Sequence, residues 1–368
     1  MRRETRRGRG LRIIKSPVNH LSYLHRIRSN GLLGIVCLAL GLFGPQAWAA
    51  DNWIDVSSAL IGRLTNNGTK PPWPGGCSGV VVNRLNGDVT IKVVGLGLWR
   101  SSDKGANWHR KDNEAISGRD ETGWTTTVDA NHPTRIASFS LDGSSGLFDD
   151  VAWKAFTTLG RNWDFGSVDW SASVPKTIIA AKHETEPPGE VYVTQDCGTT
   201  WRRLSIHLSD KRDRPSMVGA LDSTTFIYSK GDGIQLSKDF GDTWTTVSQE
   251  NPQTRVPVFL SGTHYLGDAN GLLVSRDKGA TWKRQGSSVD IWLGPFFGPS
   301  ESEMVVVGNN GAFKTGNAGD TWTKIADLRP NGPGFSFKPN WFGCYAWDPV
   351  NNILYASAMG NPVYKLEL

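Results

Sequence analysis

From residue 217 onward the chain reads as short apolar runs, several with period-two alternation, each closed by Gly, Asp, Asn or Ser. That pattern predicts strands of a half-buried antiparallel sheet rather than helices. One unit comprises Met217–Asp222, Thr225–Ser229, Ile234–Ser237 and Thr243–Val247. The next repeats it with Pro257–Leu260, His264–Leu266, Leu272–Ser275 and Thr281–Arg284. A third follows as Asp290–Leu293, Met304–Val307, Ala312–Thr315 and Thr321–Ile325. Each unit therefore predicts a four-stranded sheet with a tight turn between its third and fourth strands.

That turn carries a recurring box, Ser/Thr-x-Asp-x-Gly-x-x-Trp. It appears as Ser101-x-Asp103-x-Gly105-x-x-Trp108, Thr194-x-Asp196-x-Gly198-x-x-Trp201, Ser237-x-Asp239-x-Gly241-x-x-Trp244 and Ser275-x-Asp277-x-Gly279-x-x-Trp282. Thr315-x-Asn317-x-Gly319-x-x-Trp322 keeps all but the acid, and a worn copy is read at Thr158, Gly160 and Trp163. The six Trp lie 55, 38, 43, 38 and 40 residues apart. A period of that size signals a repeat architecture in which each sheet buries its faces against its neighbours. The box chemistry is structural. Asp or Asn oxygens accept backbone N–H groups in a turn, Gly supplies a positive φ, and Trp buries a large apolar surface beneath. Asp103, Asp196, Asp239, Asp277 and Asn317 are expected to form turns rather than to react.

The ends set the number of sheets. After the sixth box come three strands, Trp341–Trp347, Ile353–Ser357 and Pro362–Leu366, with no fourth. Near the other end Asn52-Trp53-Ile54-Asp55-Val56 resembles a post-box strand without a sheet. Pairing the two completes a seventh blade and removes open edges. The expectation is an all-β, seven-bladed β-propeller whose last blade joins both ends of the folded chain. The box resembles the Asp-box (BNR) repeat of sialidases, oligoxyloglucan-type hydrolases, sortilin ectodomains and photosystem assembly factors. The resemblance covers residues from about 51 to the C-terminus. It implies a propeller with its boxes on the rim of one face and any site at the centre of the other, and it leaves the activity open, since one fold hosts many.

Charge changes the picture at the N-terminus only. The whole chain carries +5, but residues 1–30 hold nine Arg or Lys against one Glu. Removing those eight net positive charges leaves −3, so the basic pI is no argument for nucleic acid. The basic stretch precedes the apolar run Gly31–Phe43 and then Ala47-Trp48-Ala49-Ala50, the order of a secretory signal cleaved between Ala49 and Ala50. Residues 1–49 are thus expected to be the signal and 50–368 the propeller, exported to the periplasm or outside the cell, monomeric and not membrane-spanning after cleavage. The competing reading is an uncleaved anchor, for which the apolar run is short. Cys77, Cys197 and Cys344 remain after cleavage, an odd set with no metal-ligand spacing, and their pairing cannot be read.

Candidate chemistry concentrates in the loops that join the outer strand of one blade to the inner strand of the next. Arg119-Asp120-Glu121 precedes Trp124, and Asp169-Trp170 is placed in the innermost strand of the third blade. Arg212-Asp213-Arg214 precedes Met217, and Arg255 precedes the fifth blade. Asp290-Ile291-Trp292 opens the sixth blade and Asn340-Trp341-Phe342 the seventh. Flat aromatics beside carboxylates suit sugar rings, and two carboxylates across a cleft suit glycoside hydrolysis. Asp120, Asp169 and Asp290 are the candidate acids; Arg119, Trp124, Trp170, Arg214, Arg255, Trp292 and Trp341 are the candidate ligand contacts. The competing reading packs Trp170, Trp292 and Trp341 between blades and leaves the acids as loop charges. Arg119, Arg212, Arg214 and Arg255 together would favour an anionic ligand unless they pair with Asp120, Asp213 or Glu250.

Several activities fit poorly. Sialidase chemistry, as the resemblance implies it, needs an Arg-Ile-Pro ahead of the first box, where Val80-Val81-Val82-Asn83 stands. It also needs a Tyr–Glu pair at a strand end, whereas Tyr228 and Tyr265 fall mid-blade. The oligoxyloglucan hydrolases are double propellers, about twice this length. A lyase would need a base, but nothing gathers His132, His183 and His207. The run His183-Glu184-Thr185-Glu186 lacks a following His, and Asp142-Gly143-Ser144-Ser145-Gly146 and Gly231-Asp232-Gly233 have no helix after them. No cofactor, metal or nucleotide is therefore expected. The reading is a carbohydrate-active or carbohydrate-binding propeller, glycosidase-like if catalytic, with a polysaccharide or protein ligand on its central face. The alternative is a non-catalytic interaction scaffold.

Overall fold

The computed structural model describes residues 52–66, 68–120, 123–157, 162–183, 185, 189–208, 217–340 and 342–368. β1 (Ile54–Asp55) is followed by a short helix α1 (Ser58–Thr65) and then by six blades of four consecutive antiparallel strands. Blade one holds β2 (Cys77–Val82), β3 (Val89–Val93), β4 (Gly97–Ser101) and β5 (His109–Arg110). Blade two holds β6 (Thr126–Val128), β7 (Ile136–Ser138), β8 (Gly146–Phe148) and β9 (Trp153–Ala155). Blade three holds β10 (Trp163–Val168), β11 (Ile178–Lys182), β12 (Glu190–Thr194) and β13 (Arg202–His207). Blade four holds β14 (Met217–Ala220), β15 (Phe226–Ser229), β16 (Ile234–Ser237) and β17 (Thr245–Ser248). Blade five holds β18 (Val258–Leu260), β19 (Thr263–Asp268), β20 (Gly271–Ser275) and β21 (Lys283–Gln285). Blade six holds β22 (Leu293–Phe297), β23 (Met304–Gly308), β24 (Gly311–Thr315) and β25 (Thr323–Ala326). Blade seven combines β26 (Gly343–Asp348), β27 (Ile353–Ala358) and β28 (Tyr364–Glu367) with β1 as its outer strand.

The chain is thus a seven-bladed β-propeller, closed as the end strands require. Ile54 faces Lys365 and Asp55 faces Tyr364, so the strand containing Trp53 enters the sheet containing Tyr364. The closing strand also reaches into blade one, where Trp108 Nε1 donates to Val56 O at 2.8 Å. Inner and second strands are flanked by neighbouring blades on both sides, so most of their residues are buried, and β2, β14, β23, β26 and β27 are buried throughout. That is why they read as continuous apolar runs. Outer strands such as β5 and β17 have lost this cover and carry polar residues.

Strand order fixes two faces. Hairpins between first and second and between third and fourth strands emerge at one end, here the box face. Hairpins between second and third strands and all blade-to-blade connections emerge at the other, the loop face. At five boxes the turn is built alike. In blade four the Ser237 hydroxyl accepts from Gly241 N at 2.8 Å and donates to Asp239 Oδ1 at 2.7 Å, and that carboxylate accepts from Thr243 N at 2.9 Å. Phe240 (φ 61°) and Gly241 (φ 87°) are consecutive left-handed residues, and Lys104, Cys197, Lys278 and Ala318 sit in the same place at their boxes. The sequence pattern accounts for the Gly but not for its non-Gly predecessor, which is held there by the bonds around it.

Blade two departs from expectation. Thr158 and Gly160 of the worn copy lie outside the described residues. Trp163 is no box Trp; it opens β10, the innermost strand of blade three, fully buried and stacked on Trp201 at 4.7 Å. The β8–β9 turn is made instead by Asp149, whose Oδ1 accepts from Val151 N and Ala152 N at 3.2 Å each. Trp153 then follows and donates to Lys111 O at 2.8 Å. The 55-residue gap in the Trp series reflects this: Trp163 opens an inner strand, and the Trp that follows the turn of blade two is Trp153. The three cysteines beyond residue 52 are all buried and free, and burial pushes the thiols of Cys77 and Cys344 up to about 12.

Candidate functional site

Inner strands from six blades surround an axial cavity of about 110 Å³. Its wall is apolar, built from Val80, Val82, Val128, Pro257, Phe297 and Trp347 among others. Among the described residues Thr126, Thr127 and Ser167 are its polar side chains apart from Trp and Tyr, Arg84 is its one charge, and no Asp, Glu or His lines it. A space of that size takes a few waters or the tip of one apolar side chain, well below the several hundred Å³ of a typical ligand cleft.

The box end of this axis is bridged. Arg84 on the β2–β3 hairpin donates through Nε to Ala130 O of blade two and through a terminal nitrogen to Gly298 O of blade six, both at 2.7 Å. Asn131 on the β6–β7 hairpin reaches the opposite side of the ring, donating to Phe259 O at 3.2 Å and accepting from Ser261 N at 3.0 Å. Blades two and five are not neighbours, so these bonds cross the axis.

The candidate acids are not brought together. Asp120 is fully buried in an ion pair with Lys92, itself fully buried in β3. Lys92 also donates to Ser140 Oγ at 2.6 Å, and Asp120 accepts from Thr126 Oγ1 at 3.3 Å and through its own N–H donates to Ser78 Oγ at 3.3 Å. Burial pulls the Lys92 ammonium pKa down, and the adjacent carboxylate offsets part of that. Asp120 therefore ties blade one to blade two.

Asp169 is not in the inner strand. It follows β10 in the β10–β11 hairpin, on the box face, with 3% of its surface exposed. Its Oδ1 accepts from Ser171 N at 3.0 Å and from the Ser171 hydroxyl at 2.5 Å. Burial raises its pKa, and the Ser171 bonds hold back part of the rise. The same position recurs around the ring: Asn83, Asp129, Asp222 and Asp348 each end an inner strand's run and accept the N–H two residues on, at 2.8–3.0 Å. Asp169 belongs to this second series of turn-formers, legible as an apolar residue, then Asp or Asn, at the inner-strand end.

Asp290 lies before β22, not in it, and its Oδ2 accepts from Asn309 N at 2.8 Å, capping the β23–β24 turn of its own blade. Arg119 on the loop face pairs with Asp142 at 3.0 Å. The Arg255 guanidinium sits over the Phe165 ring at 5.2 Å. Trp124 and Trp170, each 7% exposed, line the axial cavity from its loop and box ends respectively. Trp292 is half-buried away from that cavity, its indole N–H buried without a partner among the described residues. Glu121, Arg212, Asp213, Arg214 and Trp341 lie outside the described residues. The three histidines stay apart: His132 is exposed on the box face, His183 bonds Asp164 at 2.6 Å, and His207 ends β13. Among the described residues no group of three or more His, Cys, Asp and Glu is placed to hold a metal ion, and no helix is long and apolar enough to cross a membrane.

Sequence reasoning passed over Lys92, hidden in an apolar strand, and Trp73, whose setting Pro71-Pro72-Trp73-Pro74-Gly75-Gly76 was a readable sign of a rigid exposed loop. The fold and this site place the chain among β-propellers. No family model matches the sequence, and no curated protein matches it. Among solved structures it is similar to YCF48 bound to D1 peptide, at 11% identity and a TM-score of 0.44 over 82% of this chain and 94% of that one. It is similar to YCF48 from Cyanidioschyzon merolae at 13% identity, TM-score 0.41, over 87% and 99%. The Niastella koreensis GH74 enzyme follows at 15% identity and 0.35, over 82% of this chain and 62% of the enzyme, so this chain spans under two thirds of its length. These likenesses concern the fold alone.

Proposed function

We propose that this chain is an exported, non-catalytic recognition propeller of the Asp-box type that holds a macromolecular ligand on its loop face. One observation carries the reading: among the described residues, the axial cavity, where a propeller concentrates its inner-strand side chains, is walled without a carboxylate or an imidazole. Hydrolysis of a glycoside needs two carboxyl groups about 5–10 Å apart around one space. Here Asp120 is buried in an ion pair, Asp169 forms a turn on the opposite face and Asp290 caps a hairpin. The loop face carries the blade-to-blade connections together with the exposed Trp73 ring and the exposed Asp142 carboxylate, groups of the kind recognition uses. Export rests on the basic, apolar and Ala-Trp-Ala order of residues 1–50.

The test is a reducing-end assay over neutral and acidic polysaccharides, run beside direct binding to the same panel. Binding without release of reducing ends is expected. Release that disappears in Asp169→Asn or Asp290→Asn would overturn the reading and restore a hydrolase.

A further inference from the structure

Trp73 is the one aromatic side chain among the described large hydrophobic residues left exposed, at 67%. It sits on the loop face in the connection from α1 to β2, and it is held there rather than left to wander. Pro71, Pro72 and Pro74 restrict the loop, and Pro74 lies against the backbone of Gly360. Fully buried Asn361 stitches three segments beneath it. Its backbone oxygen accepts from Cys77 N at 2.7 Å, its Oδ1 from Gly334 N at 3.1 Å, and its Nδ2 donates to Phe335 O at 2.9 Å. At Gly76 and Gly334 the chains approach so closely that a Cβ would fall 2.7 Å and 2.5 Å from the Gly360 carbonyl carbon.

Around the ring the surface is organised. Phe335 meets Trp73 edge-on at 5.7 Å, and Phe342 continues the aromatic surface 4.4 Å from Phe335. The Arg119 guanidinium lies over the Trp73 ring, 5.5 Å from its centroid, and is paired to Asp142, whose side chain is 64% exposed. Folding gains little from a Trp in this position, while a pre-positioned ring loses no conformational freedom on binding.

We propose that the Trp73 platform is a binding site for an uncharged saccharide; this rests on the recognition reading above. A pyranose ring offers an apolar C–H face for the indole and peripheral hydroxyls that both donate and accept. The bordering groups match that requirement, because a hydroxyl can accept from Arg119 and donate to Asp142 with no change in charge. An anionic group would have to displace Asp142 from Arg119 or lie beside its exposed carboxylate, which is unfavourable. A protein partner fits less well. The neighbouring phenylalanines are half-buried, so among the described residues the exposed apolar patch is about one ring wide, against the ~800 Å² a side of a standard protein interface.

The experiment is a glycan array carrying cello-, manno- and chito-oligosaccharides beside polygalacturonate and chondroitin sulfate, read with the full chain, Trp73→Ala and Asp142→Asn. Binding to at least one neutral series is expected, insensitive to salt, and weakened about tenfold or more in Trp73→Ala with the melting temperature unchanged. Asp142→Asn, which leaves Arg119 uncompensated, should weaken neutral binding and bring in polygalacturonate. Binding to anionic glycans only, or to none, overturns the proposal; a Trp73-dependent protein partner with no glycan bound does the same. Neutral binding that survives Trp73→Ala overturns the site while leaving the recognition reading intact. Release of reducing ends, by contrast, overturns the recognition reading itself.

Discussion

Replacing Asp120 with Asn separates a structural acid from a catalytic one. In the folded protein Asp120 and Lys92 are fully buried and face each other, with Ser140, Thr126 and Ser78 taking their remaining bonds. Asp120→Asn leaves a buried ammonium with no counter-charge, and Lys92→Met leaves a buried carboxylate likewise. Each single change should cost about 3–5 kcal/mol. The double variant removes both charges. What it leaves is the Ser140 hydroxyl without its donor and an imperfect acceptor for Thr126, a loss of about 1–3 kcal/mol. The double variant should therefore be milder than either single, with a coupling of several kcal/mol.

Urea unfolding followed by Trp fluorescence reads these differences directly. Against a total stability of roughly 5–15 kcal/mol, either single substitution takes a large share. Additive losses, with a coupling below about 0.5 kcal/mol, would refute the buried pair as the tie between blades one and two. A fully stable Asp120→Asn variant that loses a measurable turnover would refute it more severely and return Asp120 to the catalytic candidates.

Three further outcomes are expected. Deleting residues 52–57 removes the Val56–Val363 and Trp108–Val56 bonds, the Ser57 acceptor of Val363 N and the Trp53 ring against Tyr345, so it should cost at least ~3 kcal/mol; an unchanged melting temperature would contradict ring closure by β1. His264 is 3% exposed, and burial pulls its pKa down to about 4 from an ordinary 6.5. The unfolded chain then takes up its proton first as pH falls, so stability should drop between pH 6.5 and 4, by up to about 3 kcal/mol, and stay flat above. His264→Asn should flatten the slope in that window; the Asp222 carboxyl, held down to about 2 by Thr224, Lys278 and Thr225 against its burial, titrates below it. N-terminal sequencing of protein exported from a bacterial host should begin near Ala50, whereas an intact Met1 in the cytosol would remove the export proposal.

The blade count was legible because the box repeats and because Trp53 and Tyr364 each stood beside an incomplete sheet. The period misled at Trp163, whose place in the series belongs by spacing to Trp153. A Trp in an inner strand and a Trp after a turn look alike when the intervening Gly and Thr can be fitted to a degenerate box. The candidate acids were harder. Asp120 sits in a polar run, Arg119-Asp120-Glu121, that reads as a solvated loop, and only the tertiary fold brings Lys92 against it. Asp169 was misplaced by the few residues that separate an inner strand from its hairpin, and those residues decide which face it occupies. Asp290 reads as a strand opening because Ile291 and Trp292 follow it, yet β22 begins only at Leu293. In each case the sequence names a carboxylate correctly and leaves its partner unstated, since the partner lies in another strand or blade.

The two faces differ in what their motif side chains have left to offer, and that difference is what the proposed loop-face recognition rests on. On the box face the carboxylates of the box motif are bonded on both oxygens within their turns. Asp103 is held down to about 2 by the Asn107 side chain and backbone N–H and by Ser101; Asp239 is held lower still by the equivalent bonds from Thr243 and Ser237. A general acid must be protonated near its working pH, and these groups stay ionised through any ordinary range. The inner-strand hairpins use Asn83, Asp129, Asp169, Asp222 and Asp348 in the same way, and Arg84 and Asn131 bridge the axis between blades. Every one of those side chains is already answering the hydrogen-bonding demands of a turn or of a neighbouring blade. The loop face holds side chains whose bonds leave them open, Asp142 with its exposed carboxylate and Trp73 with its exposed ring. A ligand that gains free energy on binding must find groups not already committed to folding, and Trp73 and Asp142 are two such groups on the loop face.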